Sequence, residues 1–404
     1  NNTAPHKDIA LMGTIFSYYG YKTVYTGKWH LDGSSYHGDG VPDGGFEGEW
    51  WYDGKTYYEE MKKEGKKIPA SRLEDMWGRR VADRAIDFLK KNKTEPFVLV
   101  VSFDEPHAPS NAPEEYLNMF DSGKIKKNPN FNIPLTGKPE LLKIQRKQNG
   151  EMTWEEYVNS QQVKKIYSCN LFIDMEIGRV IDAVNETHGE DTAIIYTTDH
   201  GQQQGSHGLK EKGPMMYEES CNVPFIIKYP GGASGAVCYS LASHLDIIPT
   251  MLDIAGIEIP ESMHGTSLLP VLKDPGVEVR DFAHIGFHRF AINNDGMGGF
   301  YPVRCVTDGR YKLIINLFET DELYDLQEDK FEMNNLIYDK SYEKVRNFLH
   351  EAILEEMDRI RDPFRSCWWH NRSWRTDRKE YYYSESFNRK KPKGFPFQPE
   401  AYYP

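Results

Sequence analysis

Ala193-Ile194-Ile195-Tyr196-Thr197-Thr198-Asp199-His200-Gly201 decides how this chain is read. An apolar run with the look of a buried strand ends on a carboxylate and an imidazole, and a glycine follows. Open α/β sheets place their ligands at the carboxyl ends of strands, so this position suits a metal or an anion. Downstream, Lys212 leads into Gly213-Pro214-Met215-Met216-Tyr217-Glu218-Glu219-Ser220. An acidic pair of the metal-binding type, followed by a lone lysine in a glycine-broken loop, is what an anionic ester requires.

Working outward, further apolar runs read as buried strands: Lys22 to Thr26, Phe97 to Phe103, Thr192 to Thr197 and Val223 to Ile227. Amphipathic stretches separate them. Arg80 to Lys91 and Gln162 to Val184 carry apolar residues at spacings of about 3.6, and His244 to Ala255 reads as a helix stopped at Gly256. Strands alternating with long helices predict an α/β fold: a mostly parallel sheet flanked by helices. Three of the strands run out into reactive side chains. These are Gly27-Lys28-Trp29-His30, Asp104-Glu105-Pro106-His107-Ala108-Pro109 and the Asp199-His200 pair. Their convergence on one sheet edge predicts a site.

From about Asp281 the texture changes to short strands (Ala283 to Phe287, Val303 to Thr307, Tyr311 to Asn316), with Asp308-Gly309 as a hairpin turn signal. A helix over Tyr342 to Arg361 follows. The expected division is a catalytic α/β domain over 1–280 and a small α+β domain over 281–404. The latter ends in a basic, aromatic tail with Trp368, Trp369, Trp374, Tyr381-Tyr382-Tyr383 and Arg389-Lys390-Lys391. Such interleaving occurs in single-strand nucleic-acid binders. The formal net charge of -12 instead favours a tail packed on its own protein and argues against a nucleic-acid partner. Gly33 to Ile68 reads as a long loop region; Trp50 and Trp51 within it suit core packing better than a sugar platform. No apolar run approaches the length of a membrane span. Five scattered cysteines without CxxC spacing give neither a disulfide framework nor a thiolate metal site. No obligate protein partner is evident.

Lys28, His30, His107 and Lys212 around a cation held at Asp199 and His200 would form an electropositive pocket. Such a pocket stabilises charge developing on a sulfuryl or phosphoryl group. A histidine, titrating near neutral pH, serves as acid to the leaving alcohol.

These stretches resemble the type I sulfatases of the alkaline phosphatase superfamily. Gly20-Tyr21-Lys22-Thr23-Val24-Tyr25-Thr26-Gly27-Lys28-Trp29-His30-Leu31 is similar to their second signature. Pro106-His107-Ala108-Pro109, Thr197 to Gly201, Gly205 to Leu209 and Lys212 to Ser220 follow in the family's order. Glu322-Leu323-Tyr324-Asp325-Leu326 and Glu332 to Leu336 resemble its closing signature. The resemblance implies an alkaline-phosphatase-like α/β fold with a smaller C-terminal domain. It implies hydrolysis of sulfate esters by a formylglycine made from Cys or Ser, with a calcium ion. In that reading Asp199 and His200 hold the metal, and Lys28 and Lys212 grip sulfate oxygens. His30 acts at the formylglycine and His107 assists the leaving group. His200 stands where many relatives carry Asn, and imidazole suits manganese or zinc better than calcium, so these are the alternatives. No Cys-x-Pro-x-Arg or Ser-x-Pro-x-Arg occurs, nor the family's paired aspartates; the resemblance places them upstream of Asn1. It further implies a bacterial enzyme acting on a small sulfated sugar of the glycosaminoglycan type, periplasmic or secreted. His207, Lys210, His288, Arg289 and Arg304 are the candidate sugar contacts. The alternatives are a phosphodiesterase or phosphonate monoester hydrolase of the same superfamily, and a non-catalytic sulfated-glycan-binding relative.

Overall fold

The computed structural model describes residues 5–6, 8–31, 36–70, 72–289 and 300–377. The chain divides into two compact units. The first comprises residues 1–131, 150–199 and 223–279, and the second 132–149, 200–222 and 280–404. The second unit thus begins its long C-terminal segment at Arg280 but also takes two earlier pieces of chain, which a single cut near 280 does not capture.

In the first unit, β1 (Lys22–Gly27) pairs in parallel with β2 (Phe97–Ser102), from Lys22 opposite Phe97 to Gly27 opposite Ser102. Their side chains alternate between two buried faces. Val98 and Val100 pack with Phe16 and Leu252 on one face. Val24, Leu99 and Val101 pack on the other with Ala82, Ala85, Phe88 and Leu89 of the helix Trp77–Lys91 and with Val180 and Val184 of the helix Gln161–His188. Helices on both faces explain why these strands are apolar in unbroken runs. The long helix starts at Ser160, whose hydroxyl accepts from Val163 N–H as an N-cap. β3 (Ile194–Thr197) and β4 (Phe225–Lys228) form a second ribbon. It is antiparallel, with Tyr196 opposite Ile226. That pairing departs from the parallel expectation for this strand. The ribbon is also less covered than its apolar sequence suggests, since Tyr196 and Ile226 are both exposed.

The stretch expected to be a loop, Gly33 to Ile68, contains a helix, Gly54–Lys63, capped by Asp53 accepting from Thr56 N–H. Few apolar residues mark it, so periodicity missed it. Trp51 is buried against Tyr25 and Trp29, as core packing requires.

The second unit is built on an antiparallel meander of β5 (Ala283–Arg289), β6 (Phe300–Thr307), β7 (Tyr311–Asn316) and β8 (Glu322–Asp325). Val306, Leu313, Ile315 and Leu323 face the helix Glu343–Arg359 together with Trp369 and Trp374. Val303, Cys305, Ile314 and Tyr324 face Leu141, Leu209 and Met215 to Tyr217. The tail packs onto this unit as far as described: Trp374 Nε1 and the Arg372 guanidinium both donate to Asp321. Tyr381 to Tyr383 and Arg389 to Lys391 lie outside the described residues. All five cysteines are free thiols.

Candidate active site

The register that sets Gly27 beside Ser102 brings two strand ends to one place. Only glycine serves at position 27: its φ is +115°, and a Cβ there would stand 1.9 Å from the Ser102 carbonyl oxygen. Lys28 follows, its N–H donating to Ser102 O at 2.8 Å and its carbonyl accepting from the Tyr25 hydroxyl. With the backbone fixed on both sides, the lysine stem leaves the sheet edge in one direction. Its ammonium donates to Tyr36 Oη at 2.7 Å and lies 3.1 Å from Asp104 Oδ1. The Tyr36 hydroxyl in turn donates to Asp104 Oδ1.

Tyr36 is the hub of this cluster. Its ring centre is 4.7 Å from that of His107 and 5.2 Å from that of His30. Burial, the bond to Asp104 and the charges of Asp104 and Asp199 all hold its phenol well above the ordinary range, so it stays a neutral donor. Of the expected site, the first unit therefore gathers Lys28, His30 and His107 around one tyrosine, with the Asp199 charge felt there. His107 Nδ1 sits 3.1 Å from Ala108 O. A carbonyl only accepts, so Nδ1 carries the hydrogen and Nε2 is the ring position left for proton exchange.

The second unit holds the other expected residues. His200 Nδ1 lies 2.9 Å from Gly201 O, which by the same argument leaves Nε2 as the lone-pair donor. That tautomer fits a metal ligand. Gly201 is required here too, because a Cβ would meet Glu219 O at 2.0 Å. Lys212 is half-buried. Lys210 donates to Asn149 O at 2.5 Å.

Two expected sugar contacts need correction. His207 is fully buried, stacked on Tyr217 at 4.1 Å, and burial with the nearby Lys138 charge pushes its pKa down to about 2. Arg304 is 7% exposed and bound through Nε to Asp362 at 2.6 Å. Both serve packing within their unit: His207 is a neutral ring stacked on Tyr217, and the Arg304 guanidinium is held by Asp362, since a buried cation without a carboxylate is too costly to leave for a ligand. His288 is exposed but stacks on Phe364 and meets Arg304 Nη2 at 3.0 Å. The Arg289 side chain lies outside the described residues.

Sequence reasoning missed a buried polar network in the second unit. Lys312 Nζ donates to Met216 O at 3.0 Å, to Glu332 Oε1 at 2.8 Å and to Glu218. Glu332 Oε2 accepts from Glu218 N–H at 2.7 Å. Lys138 Nζ donates to Tyr324 Oη and Glu332 O, both at 2.7 Å, and Tyr217 Oη donates to Glu322 Oε2 at 2.6 Å. Met216 to Glu218, just past Lys212, is thereby held by backbone and side chain alike. His207, Glu219 and Glu332 also bring ligand-type atoms within 4.8 Å of one another. With the Lys312 ammonium bonded to Glu332, that cluster already has its cation and fits a metal poorly. The sequence signals were the Lys212 to Ser220 motif, which carries Met216, Tyr217 and Glu218, and the closing motifs, which carry Glu322, Tyr324 and Glu332; nothing marked Lys138, Lys312 or Tyr36. A cavity of about 500 Å³ in the first unit, lined by Tyr52, Glu60, Arg80 and Arg84, shares no residue with the Tyr36 cluster. Its arginines are paired with Glu60 and Glu64.

A sulfatase family model matches residues 2–257, and a model of the C-terminal region of N-sulphoglucosamine sulphohydrolase matches residues 205–359. An uncharacterized sulfatase, YidJ of Escherichia coli, is 38% identical over 392 residues, covering 93% of this chain and 77% of its own length. An N-acetylglucosamine-6-O-sulfatase of Bacteroides thetaiotaomicron is 26% identical over 411 residues, covering 85% of this chain and 71% of its own. Among solved structures, BT4656 in complex with its substrate D-glucosamine-2-N,6-O-disulfate superimposes with a TM-score of 0.73 at 21% identity, covering 90% of this chain and 85% of that one. The phosphonate monoester hydrolase of Agrobacterium radiobacter gives 0.70 at 22% identity, covering 89% and 82%. At these identities the structural likeness establishes the alkaline-phosphatase-like fold. No described helix is long and apolar enough to cross a membrane. The chain belongs to the type I sulfatase family of the alkaline phosphatase superfamily and is a sulfuric ester hydrolase.

Proposed function

We propose that this chain hydrolyses sulfate esters of a small carbohydrate of the glycosaminoglycan type, outside the cytoplasm. The observation that carries the proposal is the gathering of Lys28, His30 and His107 around Tyr36 at the joint carboxyl end of β1 and β2. The similarity to an N-acetylglucosamine-6-O-sulfatase supports the sugar class. A formylglycine made from a Cys or Ser would supply the nucleophile, and a calcium ion at Asp199 and His200 would supply Lewis-acid charge. Lys28 and Lys212 then hold sulfate oxygens and stabilise charge on the sulfuryl group. His30 carries a proton beside the nucleophile. His107 protonates the leaving alcohol through Nε2 while Nδ1 stays on Ala108 O.

The likeness to phosphonate monoester hydrolase favours a second reading, hydrolysis of phosphonate monoesters or phosphodiesters. Initial rates on an aryl sulfate, an aryl phosphonate monoester and an aryl phosphate diester separate the two. A sulfate rate exceeding both phosphorus esters is expected, and the reverse order overturns the proposal. Sulfate release from a panel of sulfated glucosamines and uronates then sets the sugar. Peptide mass analysis for formylglycine in the full-length protein, including the sequence upstream of Asn1, tests the nucleophile, and its absence there would favour a binding role.

A further inference from the structure

We infer that Tyr36 and Asp104 are positioning residues that hold the Lys28 ammonium in register for an anionic ester oxygen. This deepens the proposed function and rests on it for the identity of the anion. An ammonium has three hydrogens on a four-carbon stem of many rotamers, and alone it grips an oxyanion only loosely. Here Tyr36 Oη accepts one hydrogen at 2.7 Å and Asp104 Oδ1 faces a second at 3.1 Å. The third remains for a ligand. The Tyr36 hydroxyl closes the triangle by donating to Asp104, so each member fixes the other two. The Lys28 ammonium also lies 4.0 Å from the Tyr36 ring centre, a cation–π contact that adds to the hold on it.

The arrangement is not a core device. The Lys28 and Asp104 side chains are 20% and 11% exposed, within reach of solvent and of a ligand. The same ring that holds the lysine packs on His30 and His107. One tyrosine thereby sets the spacing between the cation and both imidazoles. The Asp104 carboxylate weakens ground-state attraction for an anion; in return it orders the group that must meet the transition state. Preorganisation of this kind acts on rate more than on affinity.

The test is a double-mutant cycle in the full chain. Tyr36→Phe and Asp104→Asn each should lower kcat/KM for an aryl sulfate by about 10- to 100-fold. In a Lys28→Ala background either should cost less than about 3-fold, since the group being positioned is gone. Equal losses in both backgrounds overturn the inference, because a merely structural role adds independently of Lys28. A second readout does not need turnover. Competitive acylation followed by peptide mass analysis should show Lys28 reacting several-fold faster in both variants than in the wild type, normalised to the exposed lysines. An unchanged Lys28 rate overturns the inference as well. If the wild type cleaves no sulfate ester, the sulfatase reading falls while the acylation rates still decide the positioning role. If Tyr36→Phe fails to fold, the isosteric Asp104→Asn carries both measurements.

Discussion

Two clusters of the same chemistry, lysine, tyrosine and carboxylate, sit in the two units of this molecule and serve opposite ends. In the first, Lys28, Tyr36 and Asp104 stand at strand ends, with the Lys28 side chain 20% exposed. In the second, Lys312, Glu332, Lys138 and Tyr217 are sealed, with Lys312 at 1% and Glu332 at 0%. Burial opposes the charge on Lys312, and Glu332 and Glu218 more than offset it, so its pKa is held above the ordinary range. The sealed ammonium donates to three protein oxygens, while the open one has two neighbours and a hydrogen to offer. Satisfaction, rather than residue type, separates architecture from chemistry.

The largest test of that contrast is Lys312→Ala. It strands Glu332 and Glu218 without their cation, and breaking a buried pair from one side typically costs about 3–5 kcal/mol. Denaturant unfolding should show a loss of that order, and a loss below about 1 kcal/mol would erase the distinction between the clusters. Lys312→Met should recover part of the packing but not the charge pairing. Lys28→Ala is the mirror experiment. Its barrier for an aryl sulfate should rise by about 2.7–4 kcal/mol, as for removal of one preorganised donor. Its unfolding free energy should move by less than about 1 kcal/mol, as for other partly exposed positions. The same barrier loss is expected for Lys212→Ala, read as kcat on the same substrate. A Lys28→Ala or Lys212→Ala enzyme with unchanged turnover removes that lysine from the reaction.

Much of this was legible in the sequence where local physics is strong. β1 and β2 are covered on both faces, so their apolar runs announced them, and the reactive residues after each run announced the edge. The helix Trp77–Lys91 begins three residues before the stretch read from Arg80, and Trp77, one turn before Val81, continues its buried face. Sealed Lys138 and Lys312 were not legible: a buried lysine differs from a solvated one only by partners far away in sequence. Tyr36 was hidden likewise, since Asp104 is its partner across 68 residues. His207 and Arg304 illustrate the converse. A histidine and an arginine near motif residues suggest ligand contacts, yet Tyr217 and Asp362 had first claim on them.

The smallest expected effect lies inside a single dipeptide, Asp104-Glu105, where the contrast between open and sealed recurs. Asp104 faces Lys28, while the Glu105 carboxyl turns inward to the first turn of the helix Trp77–Lys91. There Glu105 Oε1 accepts Gly78 N–H at 2.9 Å, supplying a cap that the local Met76 lacks. Gly78 gives it room, since a Cβ would come 3.1 Å from Oε2 and 2.5 Å from Ile173 Cδ1. Burial, reinforced by the Asp104 charge, raises the Glu105 pKa from 4.5 to about 7. A folded-state pKa above the unfolded one means that the native state binds the proton more tightly. Stability from this group is therefore full below about pH 4.5 and is lost as pH rises towards 7, the reverse of a salt-bridged carboxylate. Glu105→Gln keeps the oxygen acceptor and cannot ionise. Its unfolding free energy relative to the wild type should climb between pH 4.5 and 7 by at most about 3.5 kcal/mol, then level off. Because all other titrating groups are common to both proteins, their contributions cancel in the difference. A difference that stays flat with pH would mean that Glu105 is ionised and solvated like its neighbour, and the line between the two carboxylates would vanish.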